Sequence, residues 1–164
     1  MPRVYNIELW FYKAEYGTWK DKIISLWSRG KYSHVEYYNP LTKKCGSSSA
    51  RDGGVRWKKI IPSSAWDRIQ FCIPKASNEE IVKRINALVH KLYDWKGIAF
   101  AQAINAKIHD RDKWFCSELI FSILKSVGVR SDLYPCEVNP VRILEVLKRR
   151  FAWQFAPTPV LQYL

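Results

Sequence analysis

In this 164-residue chain the β-forming segments crowd towards the N-terminal half and the helical ones towards the C-terminal half. That order constrains the fold more than any single motif, because strands that follow one another closely pair as hairpins. "VYNIELWFY" (Val4 to Tyr12) is rich in β-formers and reads as a first strand. "YSHVEYY" is a second, and "CGSSS" returns as its antiparallel partner after a turn that contains Pro40. "RDGG" is a further turn, with Gly53 and Gly54 supplying positive φ, and "VRWKKI" and "WDRIQFCI" are two more strands. One early helix interrupts this run: "GTWKDKIISLWSRGK" has Trp19, Ile23, Leu26 and Trp27 at helical spacing, with Gly30 placed to end it.

After Pro74 the spacing changes to that of helices. "SNEEIVKRINALVHKLY" opens with the capping-box pair Ser77 and Glu80 and carries Ile81, Ile85, Leu88 and Leu92 as its stripe. Further helices are expected over Trp95 to Ile108, from Cys116 to near Gly128, and in "NPVRILEVLKRR". The tail "FAWQFAPTPVLQYL" reads as a strand and an apolar strap. The class is therefore α+β, with a mainly antiparallel sheet, in one domain spanning residues 1–164.

With 27 Lys and Arg against 15 Asp and Glu, the net charge is +12, which suits an acidic partner: a membrane surface, an acidic protein or nucleic acid. Eight tryptophans, nine tyrosines and seven phenylalanines exceed what a core of this size needs and also suit a ligand groove. Cys45, Cys72, Cys116 and Cys136 contain no CxxC pair, so neither a zinc site nor a thioredoxin-like motif is supported, and no metal or cofactor is called for. "MPRVYNIELW" has no signal-peptide core and no apolar run reaches membrane-spanning length, so a cytoplasmic protein with free thiols is expected.

One cysteine stands out. In "DKWFCSELIFSILKSVGV", Cys116 lies one turn before Ile120 on a stripe formed by Leu119, Ile120, Ile123, Leu124 and Val127. An inward-facing thiol in the first turn of a helix meets backbone amides and the positive end of the helix dipole, both of which favour thiolate. The alternative is a cysteine serving as a small core residue.

A nucleophile needs a base, and three histidines are available. His90 falls off the stripe of its helix and reads as solvated, and His109 lies in a connection that would hold a base loosely. His34 sits mid-strand, where alternation puts Tyr32, His34, Glu36 and Tyr38 on one face and Ser33, Val35 and Tyr37 on the other. Glu36, or one of Ser47, Ser48 and Ser49 across the hairpin, could orient the imidazole, and the sequence does not choose between them.

His34 in "YSHVE", then "SSSARDGGVRWKKI", "YDWKGI" and "WFCSELI", resemble in that order the circularly permuted branch of the NlpC-type papain-like cysteine hydrolases. In that branch the histidine strand precedes the cysteine helix. The resemblance spans roughly Ile7 to Val141. It implies a permuted papain-like core, Cys116 as nucleophile, His34 as base, and hydrolysis or acyl transfer at an amide, ester or thioester. Superfamily substrates include peptides, isopeptides and lipid acyl groups. The strand after the histidine strand usually completes such a triad; here it offers only serines, so Ser49 and Glu36 are both candidates.

Amides near Cys116 and Ser117 would then form the oxyanion site; Arg51 would either grip a charged substrate or pair with Asp52 to hold the loop, and Trp114 with Phe115 would either line the cleft wall or pack in the core. Tyr93, Asp94 and Trp95 read as structural. The competing expectation is a catalytically weak or inactive scaffold that acts as a basic binding or inhibitor protein, of phage origin, on a host protein or nucleic acid.

Overall fold

The computed structural model describes residues 4–74, 78–94, 112–129 and 131–151. The expected helix over Trp95 to Ile108, His109, Ser77 of the capping box and the tail after Phe151 lie outside these residues.

The class is α+β, as the segment order suggested. Strand β1 (Val4–Lys13) leads through a short 3-10 turn (Ala14–Tyr16) into α1 (Trp19–Ser28). Strands β2 (Tyr32–Asn39), β3 (Lys44–Ser49), β4 (Gly54–Lys58) and β5 (Trp66–Pro74) follow. Then come α2 (Asn78–Leu88), the two-residue strands β6 (Leu92–Tyr93) and β7 (Lys113–Trp114), α3 (Cys116–Ser126) and α4 (Pro140–Arg150). The seven strands form one open sheet in the order β5-β1-β2-β3-β4-β6-β7, antiparallel throughout except for the β6–β7 pair.

The core lies where Ile7, Leu9 and Phe11 of β1, Val35 and Tyr37 of β2 and Phe71 of β5 meet α2, α3 and α4. Alternation explains the first three: their neighbours Glu8, Trp10 and Tyr12 belong to the other face. α3 is more than amphipathic. Cys116, Ser117, Glu118, Leu119, Ile120, Phe121, Ile123 and Leu124 are all buried, so this is a central helix packed nearly all round rather than a striped surface helix.

Four expectations need correcting. Tyr32 leaves the His34 face: a bulge where Tyr12 pairs with His34 but Lys13 pairs with Tyr32 gives β2 one extra residue, and Tyr32 turns into the core against Phe11. In α1, Trp19 and Leu26 of the expected stripe are 66% and 76% exposed and Ile23 is half-buried, while Asp21 and Ser28 are buried. α2 stops at Leu88, so Leu92 joins β6 and is exposed; the break is made by His90, at φ 75°, whose amide donates to the Val55 carbonyl. Of the two turn glycines, only Gly53 has positive φ, at 81°; Gly54 is needed because a Cβ there would lie 2.0 Å from the Lys91 carbonyl oxygen.

Candidate active site

The site forms where three elements converge. β2 supplies His34 and Glu36, β4 supplies Arg56, and the first turn of α3 supplies Cys116. The β2–β3 ladder pairs Tyr37 with Gly46, Tyr38 with Cys45 and Asn39 with Lys44. Nearer His34 a side chain takes over, the Ser47 hydroxyl donating to the Val35 carbonyl at 2.7 Å. α3 packs against both strands. Its approach is fixed from the β3 side too, because the Ser48 hydroxyl donates to the carbonyl of Trp114, two residues before Cys116.

His34 Nε2 lies 2.8 Å from Glu36 Oε1. The Glu36 carboxylate is fully buried and is held a second time by Arg56, with Nη1 on Oε2 at 2.8 Å and Nη2 on Oε1 at 2.7 Å. Burial alone would protonate such a carboxyl, but the charges and hydrogen bonds of His34 and Arg56 outweigh it and hold the Glu36 pKa below its ordinary value. Arg56 is in turn anchored by Asp52, 2.8 Å from its Nε. Of the candidate groups, the Glu36 carboxylate is the one within hydrogen-bonding distance of the ring, at 2.8 Å. The serines are spent elsewhere: Ser47 on Val35, Ser48 on Trp114, and Ser49 on Asp52.

Cys116 is the first residue of α3 and is 3% exposed. Its N-cap is Phe115, whose side chain has no oxygen to offer the first-turn amides, so the positive end of the helix is left to act on whatever lies beside the thiol. Burial pulls the His34 pKa down, but the charge and hydrogen bond of Cys116, together with those of Glu36, push it up to about 9. With Nε2 committed to Glu36, Nδ1 is the ring nitrogen left for the sulfur. Near neutral pH these partners favour the protonated imidazole, with the ionised Glu36 beside it.

A cleft of about 500 Å3 opens beside His34, lined by His34, Glu36, Ser49, Arg51, Arg56 and Tyr93 among others, while Cys116 is not one of its lining residues. Of the expected substrate contacts, Arg51 lines it, whereas Trp114 packs against the core and Ser117 is buried at 1% exposure. Any part Ser117 plays is confined to its backbone.

Sequence reasoning missed several residues. Arg56 was readable in principle as a charge between the core residues Val55 and Trp57 of β4, which places it opposite Ser47 and towards Glu36. Asp21 is a hub: it accepts from the Thr18 amide and hydroxyl, from the Ser33 hydroxyl at 2.9 Å and from Arg51 at 2.6 Å. Its partial burial works against ionisation, but these donors keep its pKa low. Trp66 stands edge-on to His34 with ring centroids 6.4 Å apart. Tyr93, expected to be structural, lines the cleft, and burial together with the nearby charge of Cys116 raises its pKa well above the ordinary value.

No family model matches this chain, and no curated protein matches it. The resemblance to the permuted papain-like hydrolases is one of motifs alone. All four cysteines are free, and no group of His, Cys, Asp and Glu among the described residues could hold a metal ion. No described helix is long and apolar enough to cross a membrane.

Proposed function

We propose that the protein is a cysteine-dependent hydrolase or acyltransferase of the permuted papain-like type, acting on an amide, ester or thioester. The observation that carries this reading is the relay Arg56–Glu36–His34 ending at a thiol in the first turn of a helix. A core cysteine needs none of these partners, and a buried carboxylate clamped between an arginine and a histidine is costly to keep unless the histidine has work to do.

The steps follow from the charges. His34 takes the proton of Cys116, and the thiolate so formed attacks the substrate carbonyl. The amides of Cys116 and Ser117 stabilise the oxyanion. His34 then gives its proton to the leaving group, and the thioester left on Cys116 is resolved when His34 deprotonates water or another acceptor. Glu36 keeps the ring oriented and its charge stabilised throughout, and Arg56 keeps Glu36 ionised.

Thiol alkylation tests the reading. At a pH of about 6 an ordinary thiol is almost wholly protonated, so iodoacetamide should label Cys116 ahead of Cys45, Cys72 and Cys136, and His34→Ala should slow that labelling. Uniformly slow labelling, or labelling indifferent to His34, would sink it.

One observation favours the second reading, a binding scaffold without turnover. Cys116 is 3% exposed and is not one of the residues that line the cleft. Labelling of Cys116 with no hydrolysis of peptide, ester or thioester substrates would favour that role, with the +12 charge drawing an acidic partner.

A further inference from the structure

α1 turns its polar side inward. Asp21 and Ser28 are buried, Asp21 being tied to Ser33 and Arg51, while Trp19 and Leu26, seven residues apart and so on one face of the helix, are 66% and 76% exposed. The exposed charges on and just after the helix are Lys20, Lys22 and Arg29, all positive; its own acid is the buried Asp21. Lys20 stands over the Trp19 ring, 5.8 Å from its centroid.

A second segment, distant in sequence, repeats this chemistry. Between β4 and β5, Ile61 is 80% exposed and follows Lys58, Lys59 and Ile60. Lys58 is paired with Asp52, while Lys59 is exposed. Trp19, Lys20 and Ile24 of α1, Lys58 at the end of β4 and Ile60 of this connection all line the same cleft. Two unconnected segments thus border one opening with large apolar side chains set among lysines.

We propose that this rim docks on an anionic lipid surface, with the mouth of the cleft turned towards the bilayer. Charge complementarity selects the partner: apolar tips of this size enter the headgroup region, and the lysines around them meet anionic headgroups. A neutral apolar groove would have no use for them. The docking stands whether or not Cys116 forms an acyl intermediate, and it is read by a different measurement.

The test is co-sedimentation of the full chain with vesicles of phosphatidylcholine, with and without phosphatidylserine. Binding is expected on the phosphatidylserine vesicles, weakened by salt, and weak on phosphatidylcholine alone. The Leu26→Ser/Ile61→Ser variant should lose about tenfold or more in partitioning, since each change removes an exposed apolar side chain that docking would bury. The Lys20→Glu/Lys22→Glu variant should lose a comparable amount while keeping its apolar tips, and its circular dichroism should match the parent's. Absence of wild-type binding to phosphatidylserine vesicles would overturn the proposal, as would unchanged binding in both variants. Retention by an acidic helical peptide without vesicle binding would also overturn it, by assigning the face to a protein partner.

Discussion

Glu36 Oε1 serves two donors at once, His34 Nε2 at 2.8 Å and Arg56 Nη2 at 2.7 Å. A single oxygen therefore couples the fully buried carboxylate to both the imidazole and the guanidinium. Arg56 occupies the second oxygen as well, so rotation of the carboxyl away from His34 breaks two hydrogen bonds to the guanidinium.

Removing the guanidinium should accordingly cost far more than a surface ion pair. Arg56→Ala strands a charge that is 0% exposed, and a loss of about 3–5 kcal/mol in unfolding free energy is expected. Arg56→Lys should recover only part of it, because an ammonium cannot span both oxygens. Urea denaturation measures both, and an alanine variant within about 0.5 kcal/mol of the parent would show that the clamp is not structural.

Glu36→Gln keeps the shape and removes the charge. Its carboxylate is one of the groups that hold the His34 pKa up at about 9, so the histidine's titration should fall by about one unit or more towards its ordinary range. NMR of the imidazole protons across pH reads the shift directly. The alkaline limb of any activity profile should move the same way. A titration unmoved by the substitution would remove Glu36 from its orienting role.

The same histidine links stability to alkaline pH. Its folded pKa is raised from 6.5 to about 9, so its contribution is fully present below about 6.5 and is lost as pH rises through about 9. Unfolding free energy should thus decline between those limits. Cys116→Ser removes the interaction that does most to raise the imidazole pKa and should shrink that decline. Tyr32, raised to about 12 by burial and by Asp67, adds a loss only above about 10, its unfolded value, which separates the two.

Gly54→Ala tests the seam between β4 and β6. The new methyl would meet the backbone carbonyl of Lys91 rather than a pliable side chain, so about 1–3 kcal/mol of destabilisation is expected. Gly53→Ala, whose Cβ would meet nothing within 4 Å but whose φ is 81°, should cost about 1 kcal/mol through the backbone alone. Thermal melts of the two variants distinguish contact from conformation.

What the sequence revealed of this site was whatever local periodicity carries. His34 and Glu36 share a face because they sit two apart on a strand, and the start of α3 was visible in the apolar run that follows Cys116. Arg56 was missed because its partner lies two strands away, in the carboxylate it neutralises. α1 misled because a polar face normally meets water; here Ser33 and Arg51 give Asp21 better partners than water inside the protein. β6 and β7, at two residues each, are too short to have any period, and only the carbonyls and amides of their neighbours define them. The extra residue of β2 was equally invisible, since a bulge is written in pairing rather than in composition.

That extra residue also ties a lever to the sheet. Ser33, standing at the dislocation in β2, hands its hydroxyl to Asp21 in the first turn of α1, and the next residue along the strand is His34. The helix that carries the exposed Trp19 and Leu26 is therefore bolted to the sheet one residue away from the imidazole. A load that tilts α1 pulls on the strand where it is least regular, and the ring that faces Cys116 rides on the neighbouring peptide.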